Sequence, residues 1–217
     1  MATSESDRIV DAAVALAEER AWEAVRLHEV AATLGITLDD IRRHFREKED
    51  IVDAWFDRAD SAMLREAEAP GFLELTPRER IRRLIITWLS ALAAHRRVTR
   101  QMIYGKLEPG HLHIQIPGLM RVSRTVQWIR EAAGRDATYV RRALEETGLT
   151  TIYLTTFFHW MNDASPGAIR TERFLDGCLS FAERLDRAVW SESRAASREG
   201  AVVPATPERE DTPAAPS

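Results

Sequence analysis

The sequence of 217 residues contains a single cysteine, Cys178, which excludes both an intrachain disulfide bond and a zinc site built from cysteines. It has no run of about 18 apolar residues, so nothing in it predicts a transmembrane helix. Residues 1–13 lack the basic flank and the continuous apolar core of a secretory signal. We therefore expect a soluble cytoplasmic protein.

Strand patterns and catalytic motifs are also scarce. Apolar residues recur at helical spacing, whereas strict alternation is almost absent. There is no Gly-rich phosphate loop, paired-carboxylate motif or Ser-His-Asp arrangement. His111 and His113 lack a fixed third ligand, and His159 and Asp163 stand at the spacing of a local ion pair on a helix. We expect an all-α protein that is not an enzyme, with no catalytic residues, metal ion or cofactor.

Charge is distributed unevenly along the chain, although the net charge is only -4. Residues 1–60, the acidic segment, carry 15 acidic and 8 basic residues, whereas residues 78–106, the basic segment, carry 8 basic residues and one acidic residue. An acidic N-terminal segment weakens the case for DNA binding, which usually requires a basic footprint. The basic segment could be a solvated face, could meet an anionic partner or could pair with the acidic segment, and we favour the pairing.

Capping residues and helix breakers divide the N-terminal region into four helices. Ser4 or Ser6 can cap the first helix, and Gly35 ends the second. Thr37 can cap the third, with Asp40 completing a capping box three residues later. A proline and a glycine near residue 70 then predict a linker.

A second helical region begins at Thr76, which is followed by Pro77 and by Glu79 at the capping-box position. Residues 107–118 contain two prolines and two glycines and are predicted to be irregular. Two long helices follow, and their broad apolar stripes suit either a core or a dimer interface. The stripes include Thr151, Leu154, Phe158 and Met161 on the first helix, and Phe174, Cys178, Phe181 and Leu185 on the second.

These features predict three regions. Residues 1–66 form a helix-turn-helix domain, residues 72–195 form a bundle of about six helices, and residues 196–217 form a tail. The tail is rich in proline, alanine and charge without periodicity, so we expect it to be disordered.

The N-terminal region resembles the DNA-binding domain of the TetR family of bacterial repressors. The resemblance covers about residues 7–56 and is carried by "RIVDAAVALA", "LHEVAATLGIT" and "HFREKEDIVDAW", with Phe45, Lys48 and Ile51 at the family spacing. It implies a homodimer whose third helices enter the major groove of a palindromic operator, at half-sites roughly 34–36 Å apart. It also implies a C-terminal domain in which a small ligand alters DNA binding.

The third helix departs from the family pattern "S-x-G-T-L-Y-x-[HY]-F", because Asp39, Asp40 and Arg42 replace its glycine, threonine and tyrosine. An aspartate repels phosphate, but it is favoured near a helix N-terminus and can accept a hydrogen bond from cytosine N4. The aspartates therefore belong either to a capped surface helix or to the reading surface. A basic patch of Arg42, Arg43, Arg46 and Lys48 could still face phosphate. The expected DNA contacts are Thr37, Leu38, Asp40, Arg42, Arg43, His44 and Lys48, the last as a phosphate ligand.

A TetR-like C-terminal domain implies a pocket that is mostly apolar, with a few polar groups that orient the ligand. We therefore expect a small apolar ligand. Packing in the core is the simpler role for each candidate lining residue. The candidates are Trp88, Leu92, Met102, Tyr104, Trp128, Thr151, Thr155 and His159.

A second resemblance suggests a different function. Leu149–Asp176 is similar to the C-terminal region of the lipid-binding accessory protein of ubiquinone biosynthesis, through "D-x-S-P" at Asp163–Pro166 and "T-x-x-F-L-D" at Thr171–Asp176. That family keeps a TetR-like fold but has given up DNA binding to hold an isoprenoid lipid. The sequence thus predicts a ligand-controlled regulator, with a lipid carrier on the same scaffold as the alternative.

Overall fold

Helices make up all the regular secondary structure in the described part of the chain. The computed structural model describes residues 4–107, 112–134 and 139–199, and the side chains of residues 4–104, 121–134 and 146–188. The α-helices are α1 (Glu5–Arg20), α2 (Leu27–Leu34), α3 (Leu38–His44), α4 (Lys48–Ala67), α5 (Pro77–Ala91), α6 (Arg96–Leu107), α7 (Leu112–Ala132), α8 (Tyr139–Asn162) and α9 (Ile169–Glu199). The predicted all-α fold is confirmed. Contacts divide the chain at Leu179 into two units, and the packing described below lies within the first.

The helix boundaries predicted from capping residues are confirmed in the N-terminal region. Ser4 caps α1 by accepting a hydrogen bond from the Asp7 backbone at 3.0 Å. Gly35 ends α2 in the left-handed conformation, with a φ of 66° that favours glycine. Thr37 Oγ1 accepts a hydrogen bond from the Asp40 backbone at 3.2 Å, and the Asp40 carboxylate accepts one from the Thr37 backbone at 2.9 Å. Local sequence alone therefore determines where α3 starts.

Two predicted boundaries are wrong. Helix α7 begins at Leu112, so the irregular segment predicted for residues 107–118 is helical in its second half. Pro117 removes one backbone hydrogen bond near the start of α7, and the packing of this helix on α4, α5 and α8 offsets that local cost. Helix α9 extends to Glu199, past the predicted start of the tail at residue 196. The rest of the predicted tail, residues 200–217, lies outside the described residues.

The inward face of α8 also differs from the predicted one. Thr151 and Phe158, which were placed on the apolar stripe, are exposed. The helix carries apolar residues on two adjacent faces, and only the packing against its neighbours selects the face that is buried. The apolar residues buried on α8 are Leu149, Tyr153, Phe157, Trp160 and Met161.

An aromatic cluster joins α4, α5 and α8 in the core. The rings of Phe56 and Trp88 stack with centroids 5.8 Å apart, and Tyr153 and Phe157 meet Trp88 edge-on at 5.3 and 5.4 Å. All four side chains are buried. Such pairs contribute about 0.5–1.5 kcal/mol each beyond the burial of their apolar area. The cluster therefore holds the helix-turn-helix segment, through α4, against the C-terminal helices.

A buried polar network, which we call the Asp60 network, lies beside this cluster. The Asp60 carboxylate on α4 accepts hydrogen bonds from Trp88 Nε1 at 2.7 Å, Arg121 Nη2 at 3.0 Å and Thr125 Oγ1 at 3.0 Å. Arg121 also reaches Asp57 Oδ1 at 2.6 Å and the backbone carbonyl of Asp53 at 3.0 Å. The network thus ties α4 to α5 and α7 through directional bonds.

The predicted pairing of the basic segment with the acidic segment is only partly confirmed. Arg97 binds the carboxylate of Glu18 on α1 at 2.8 Å. Arg82 instead binds Glu172 and Asp176 on α9, at 2.9 and 2.7 Å. The basic segment is therefore shared between α1 and the C-terminal helices, because α5 and α6 lie between them.

We expect Asp60→Ala to lower the free energy of unfolding by about 3–5 kcal/mol, because it removes the buried carboxylate that accepts from Arg121 Nη2 and Trp88 Nε1. Asp57→Ala is the matched control, since Asp57 pairs with the same arginine but its side chain is 57% exposed. The control should cost under about 1 kcal/mol. Urea unfolding measures both values, and similar losses in the two variants would contradict the role of Asp60.

Candidate nucleic-acid interface and ligand-binding region

Two buried side chains fix the orientation of α3. Ile41 and Phe45 are 1% and 5% exposed, and Ile36 packs against the same core from the turn before the helix. The opposite face of α3 is consequently turned outward, with Leu38 among the exposed large apolar residues. An exposed helix held by its apolar side is the arrangement that a major-groove reading helix needs.

Asp40 is a capping residue of α3. Its carboxylate accepts hydrogen bonds from the Thr37 backbone at 2.9 Å and from Thr37 Oγ1 at 2.6 Å. These bonds hold the pKa of Asp40 below its usual value. Arg43 Nη1 donates to the other carboxylate oxygen at 2.8 Å. The Asp40 carboxylate therefore takes part in forming the helix, whatever it also does toward DNA.

Asp39 lies on the exposed face and binds two arginines. Its Oδ1 accepts from Arg42 Nε at 3.2 Å and from Arg42 Nη2 at 2.9 Å, while Oδ2 accepts from Arg43 Nη2 at 2.8 Å. The hydrogen bond from Arg42, with the charges of both arginines, keeps the pKa of Asp39 below its usual value. The two aspartates thus balance Arg42 and Arg43, and these four residues together carry no net charge.

His44 and Lys48, the other basic residues among the expected DNA contacts, also have partners within the chain. His44 Nε2 lies 3.2 Å from Glu5 Oε2 on α1. Lys48 Nζ donates to the Trp22 carbonyl at 2.6 Å and lies 4.7 Å from the centre of the Trp22 ring. Burial lowers the pKa of Lys48. Lys48 therefore fastens the start of α4 to the turn after α1, and its phosphate contact stays a prediction.

Arg46, which was assigned to the basic patch but not to the expected DNA contacts, is the more exposed cation. Its side chain is 89% exposed, compared with 74% for Arg42 and 65% for Arg43. Its Nε lies 3.6 Å from Asp50 Oδ2, which leaves the guanidinium at the surface. Position just after α3 and high exposure make Arg46 a candidate phosphate ligand.

The structure does not gather the eight predicted ligand residues into one group. Trp88, Leu92 and Met102 are buried in the core, and the Trp88 N–H is already bound by Asp60. The remaining five are wholly or partly exposed. They are Tyr104 on α6, Trp128 on α7, and Thr151, Thr155 and His159 on α8.

The hydroxyls of Thr151 and Thr155 are used within α8. Thr151 Oγ1 donates to the Thr147 carbonyl at 2.9 Å, and Thr155 Oγ1 donates to the Thr151 carbonyl at 2.7 Å. Both side chains lie on the exposed side of the helix. In the single chain they are therefore surface residues, and their role toward a ligand stays a prediction.

A cavity of about 190 Å³ lies where α5, the start of α6, the end of α8 and the start of α9 meet. Its walls include Leu89, Arg96, Trp160 and Glu172. The Arg96 guanidinium lies over the Trp160 ring at 4.8 Å and donates to the Asp163 carbonyl. None of the eight predicted ligand residues lines this cavity, and no sequence signal pointed to it.

The motif "D-x-S-P" forms a cap before α9. The Asp163 carboxylate accepts hydrogen bonds from the backbone N–H and hydroxyl of Ser165, at 2.8 and 2.6 Å, and from those of Thr171, at 2.9 and 2.7 Å. Burial acts to raise the pKa of Asp163, but these four bonds outweigh it and hold the pKa well below its usual value. The predicted ion pair with His159 is wrong, because His159 Nδ1 lies 3.1 Å from Thr171 Oγ1 instead.

Two buried polar atoms on the packed helices α7 and α8, like Arg96 Nε beside the cavity, lack a hydrogen-bond partner among the described residues. They are Arg121 Nε and Thr156 Oγ1. A buried polar group without a partner costs about 1–3 kcal/mol, so each such group in a folded protein calls for an explanation. A polar group of a bound molecule would supply one. Sequence reasoning had no signal for either atom.

The described part of the chain holds no candidate metal site and no membrane span. No group of three or more His, Cys, Asp or Glu side chains there could hold a metal ion. No helix there is long and apolar enough to cross a membrane. His111 lies outside the described residues, and His113 lies within α7 at a position whose side chain is not described.

Two family models match the chain in separate regions. The model of bacterial regulatory proteins of the tetR family matches residues 9–55, and the COQ9 model matches residues 118–186. The first match covers α1 from Ile9 onward, all of α2 and α3, and the first eight residues of α4. The second covers parts of α7 and α9 and all of α8. No curated protein matches the chain.

Solved structures extend the first similarity to about four fifths of the chain. The TetR transcriptional regulator from Nitrosomonas europaea ATCC 19718 is 58% identical, with a TM-score of 0.74 over 82% of this chain and 97% of that one. A TetR transcriptional regulator from Rhodococcus sp. RHA1 is 20% identical, with a TM-score of 0.59 over 79% of this chain and 93% of that one. The second likeness shows the fold alone.

The Asp163 cap predicts a specific dependence of stability on pH. Because its folded pKa lies below the value of about 3.9 for a free aspartate, Asp163 stabilises the fold fully above about pH 5 and progressively less as pH falls through the acid range. The difference in unfolding free energy between the wild type and Asp163→Asn should therefore be constant from about pH 7 to 5 and shrink below about pH 4.5. Urea unfolding at each pH measures it, and a difference that widens in acid would contradict the cap.

Proposed function

The chain belongs to the TetR family of bacterial regulatory proteins, and we propose that it binds a palindromic operator as a homodimer under the control of a small ligand. The observation that carries this proposal is the way α3 is capped, anchored and exposed. It is capped at its start and anchored by Ile41 and Phe45, and it presents Arg42 and Arg43 to solvent. Such a helix can enter the major groove without rearrangement of its backbone.

The proposed DNA contacts differ in what they would bind. Thr37 and Leu38 at the start of α3, with Arg42 and Arg43, face outward and would meet base edges or the sugar-phosphate backbone. Because the aspartates balance the arginines, phosphate attraction has to come from neighbouring residues such as Arg46. Asp40, His44 and Lys48 are proposed as supporting residues, which reach DNA only where their contacts within the chain allow it.

We propose that the homodimer forms through α8 and α9. Helix α8 exposes Phe158, and α9 exposes Ile169, Phe181 and Leu185. Phe181 and Leu185 are four residues apart and therefore share one face of α9. Large apolar side chains at this spacing suit a self-complementary contact between two copies of the chain.

The proposed ligand is small and mostly apolar, with a polar group that binds between α7 and α8. Arg121 Nε and Thr156 Oγ1 are the buried atoms that support this position. Arg121 also binds Asp60, Asp57 and the Asp53 carbonyl on α4. A ligand that moves Arg121 would therefore change the packing of α4, which carries the helix-turn-helix, and so shift the population of DNA-binding dimers.

Two threonine variants test whether Thr156 has a role beyond folding. Thr156→Val should leave the free energy of unfolding unchanged or raise it, because the hydroxyl has no partner to lose. Thr125→Val is the matched control, because its equally buried hydroxyl donates to Asp60, and it should cost about 1–3 kcal/mol. Urea unfolding compares the two, and an equal cost would show that Thr156 serves the fold.

A gel shift tests DNA binding directly. The protein should bind a palindrome in the DNA upstream of its own gene, with affinity that falls steeply between low and moderate salt as counterions are released. A scrambled duplex of the same length is the control. Absence of binding at every salt concentration would contradict the proposal.

A lipid carrier is the second candidate function, favoured by the COQ9 match over residues 118–186. Native mass spectrometry of the purified protein would detect a co-purified isoprenoid lipid. A bound lipid together with absent DNA binding would favour this function. The Asp163 and Thr171 contacts carry less weight, because they are explained by the cap before α9.

A further inference from the structure

From the way Asp39 holds its two arginines, we infer that Arg42 binds a guanine in each half-site and that Asp39 positions the Arg42 guanidinium. Arg43 instead holds the two aspartates in place and does not bind a base. The inference rests on the proposed DNA-binding function. It gives different roles to two adjacent arginines that cannot be told apart from the sequence.

The two arginines use different edges of their guanidinium groups. A guanidinium is planar, and its N–H donors point in fixed directions along two usable edges. Arg42 gives Asp39 the side edge, because Nε and Nη2 both donate to Oδ1 at 3.2 and 2.9 Å. Among the described contacts, Arg42 Nη1 has no partner. The terminal edge, formed by Nη1 and the second N–H of Nη2, therefore stays open on a side chain that is 74% exposed.

Arg43 is held in the opposite way. Its Nη1 donates to Asp40 Oδ1 and its Nη2 donates to Asp39 Oδ2, both at 2.8 Å. The terminal edge is thus occupied by two carboxylates of the same helix. To read a base with that edge, Arg43 would have to break two charge-assisted hydrogen bonds. In its present position it links Asp39 to Asp40 and keeps both carboxylates in place.

The open edge of Arg42 matches guanine. Guanine presents its O6 and N7 acceptors side by side in the major groove, and an arginine that donates to both is the commonest specific contact between protein and DNA. Asp39 fixes the plane of the Arg42 guanidinium before DNA arrives, so less side-chain freedom is lost on binding. It also cancels charge on α3, which reduces the attraction to phosphate that every sequence shares.

A contribution to folding stability does not explain the pairing of Asp39 with Arg42. Asp39 and Arg42 are an exposed pair at i,i+3 spacing, and such pairs contribute little to folding. Asp39 is also not the cap of α3, since Asp40 performs that role. Removing either Asp39 or Arg42 should therefore leave the fold intact and act on DNA recognition alone.

Selection from a pool of randomised DNA duplexes tests the inference with the full-length protein and three variants, Asp39→Asn, Arg42→Ala and Arg43→Ala. The wild type should enrich a palindrome with one fixed guanine in each half-site. Competition against a duplex with adenine at that position should show a preference of about 10-fold or more for guanine. We expect Arg42→Ala to abolish this preference and Asp39→Asn to reduce it to about 2-fold while raising affinity for unrelated DNA.

Arg43→Ala is the comparison variant, because Arg43 is the adjacent arginine with similar exposure. It should lower affinity for all duplexes alike, whereas the guanine preference should remain, because Asp39 keeps its two hydrogen bonds from Arg42. Thermal unfolding confirms that all variants are folded. The inference is overturned if Arg43→Ala loses the preference while Arg42→Ala keeps it. It is also overturned if Asp39→Asn raises affinity for all sequences equally with the preference unchanged. If the wild type enriches no sequence, the proposed DNA-binding function itself fails, and the inference fails with it.

Discussion

The buried carboxylate of Asp60 is the constraint on which the arrangement of the helices depends. A charge in the core requires partners, and here they come from α5 through Trp88 and from α7 through Arg121 and Thr125. The surrounding aromatic contacts depend less sharply on distance and angle than hydrogen bonds do, so they would tolerate small slides of α4 along its neighbours. The hydrogen bonds to Asp60 would not, because each requires a particular distance and angle. Since α4 carries the helix-turn-helix segment, the position of α3 follows from a bond made well inside the bundle.

The charged side chains on the exposed face of α3 are also paired within the chain. Arg42, Arg43, His44 and Lys48 all have partners within the chain, and these contacts hold the side chains in place. The two adjacent aspartates are not equivalent. Asp40 is directed to the helix start, where it joins the Thr37 cap, and Asp39 is directed along the exposed face, where it orders two arginines. A surface of this kind favours recognition by fixed geometry over recognition by bulk positive charge.

Local features could be predicted from the sequence, and contacts between distant residues could not. The caps at Ser4, Thr37 and Thr76 depend on residues three positions apart, so a short segment contains all the information. The Asp60 network joins residues up to 65 positions apart, and nothing distinguishes Asp60 from the other acidic residues of α4. The sequence predicts one apolar stripe on α8, which includes Thr151 and Phe158, but that helix has two apolar faces. Packing buried the face with Tyr153 and Phe157 and left Thr151 and Thr155 exposed.

The two resemblances carry different information about function. The residues that resemble the lipid carrier, Asp163 and Thr171, form the cap before α9, so the fold of this chain accounts for them. A motif required by the fold is expected in a regulator and in a carrier alike, so it does not distinguish them. The role proposed for Arg42 would distinguish them, because a carrier that has given up DNA has no use for an arginine whose terminal edge is kept open for a base. The orientation of Arg42 by Asp39 is therefore the feature of this structure that most favours the regulator.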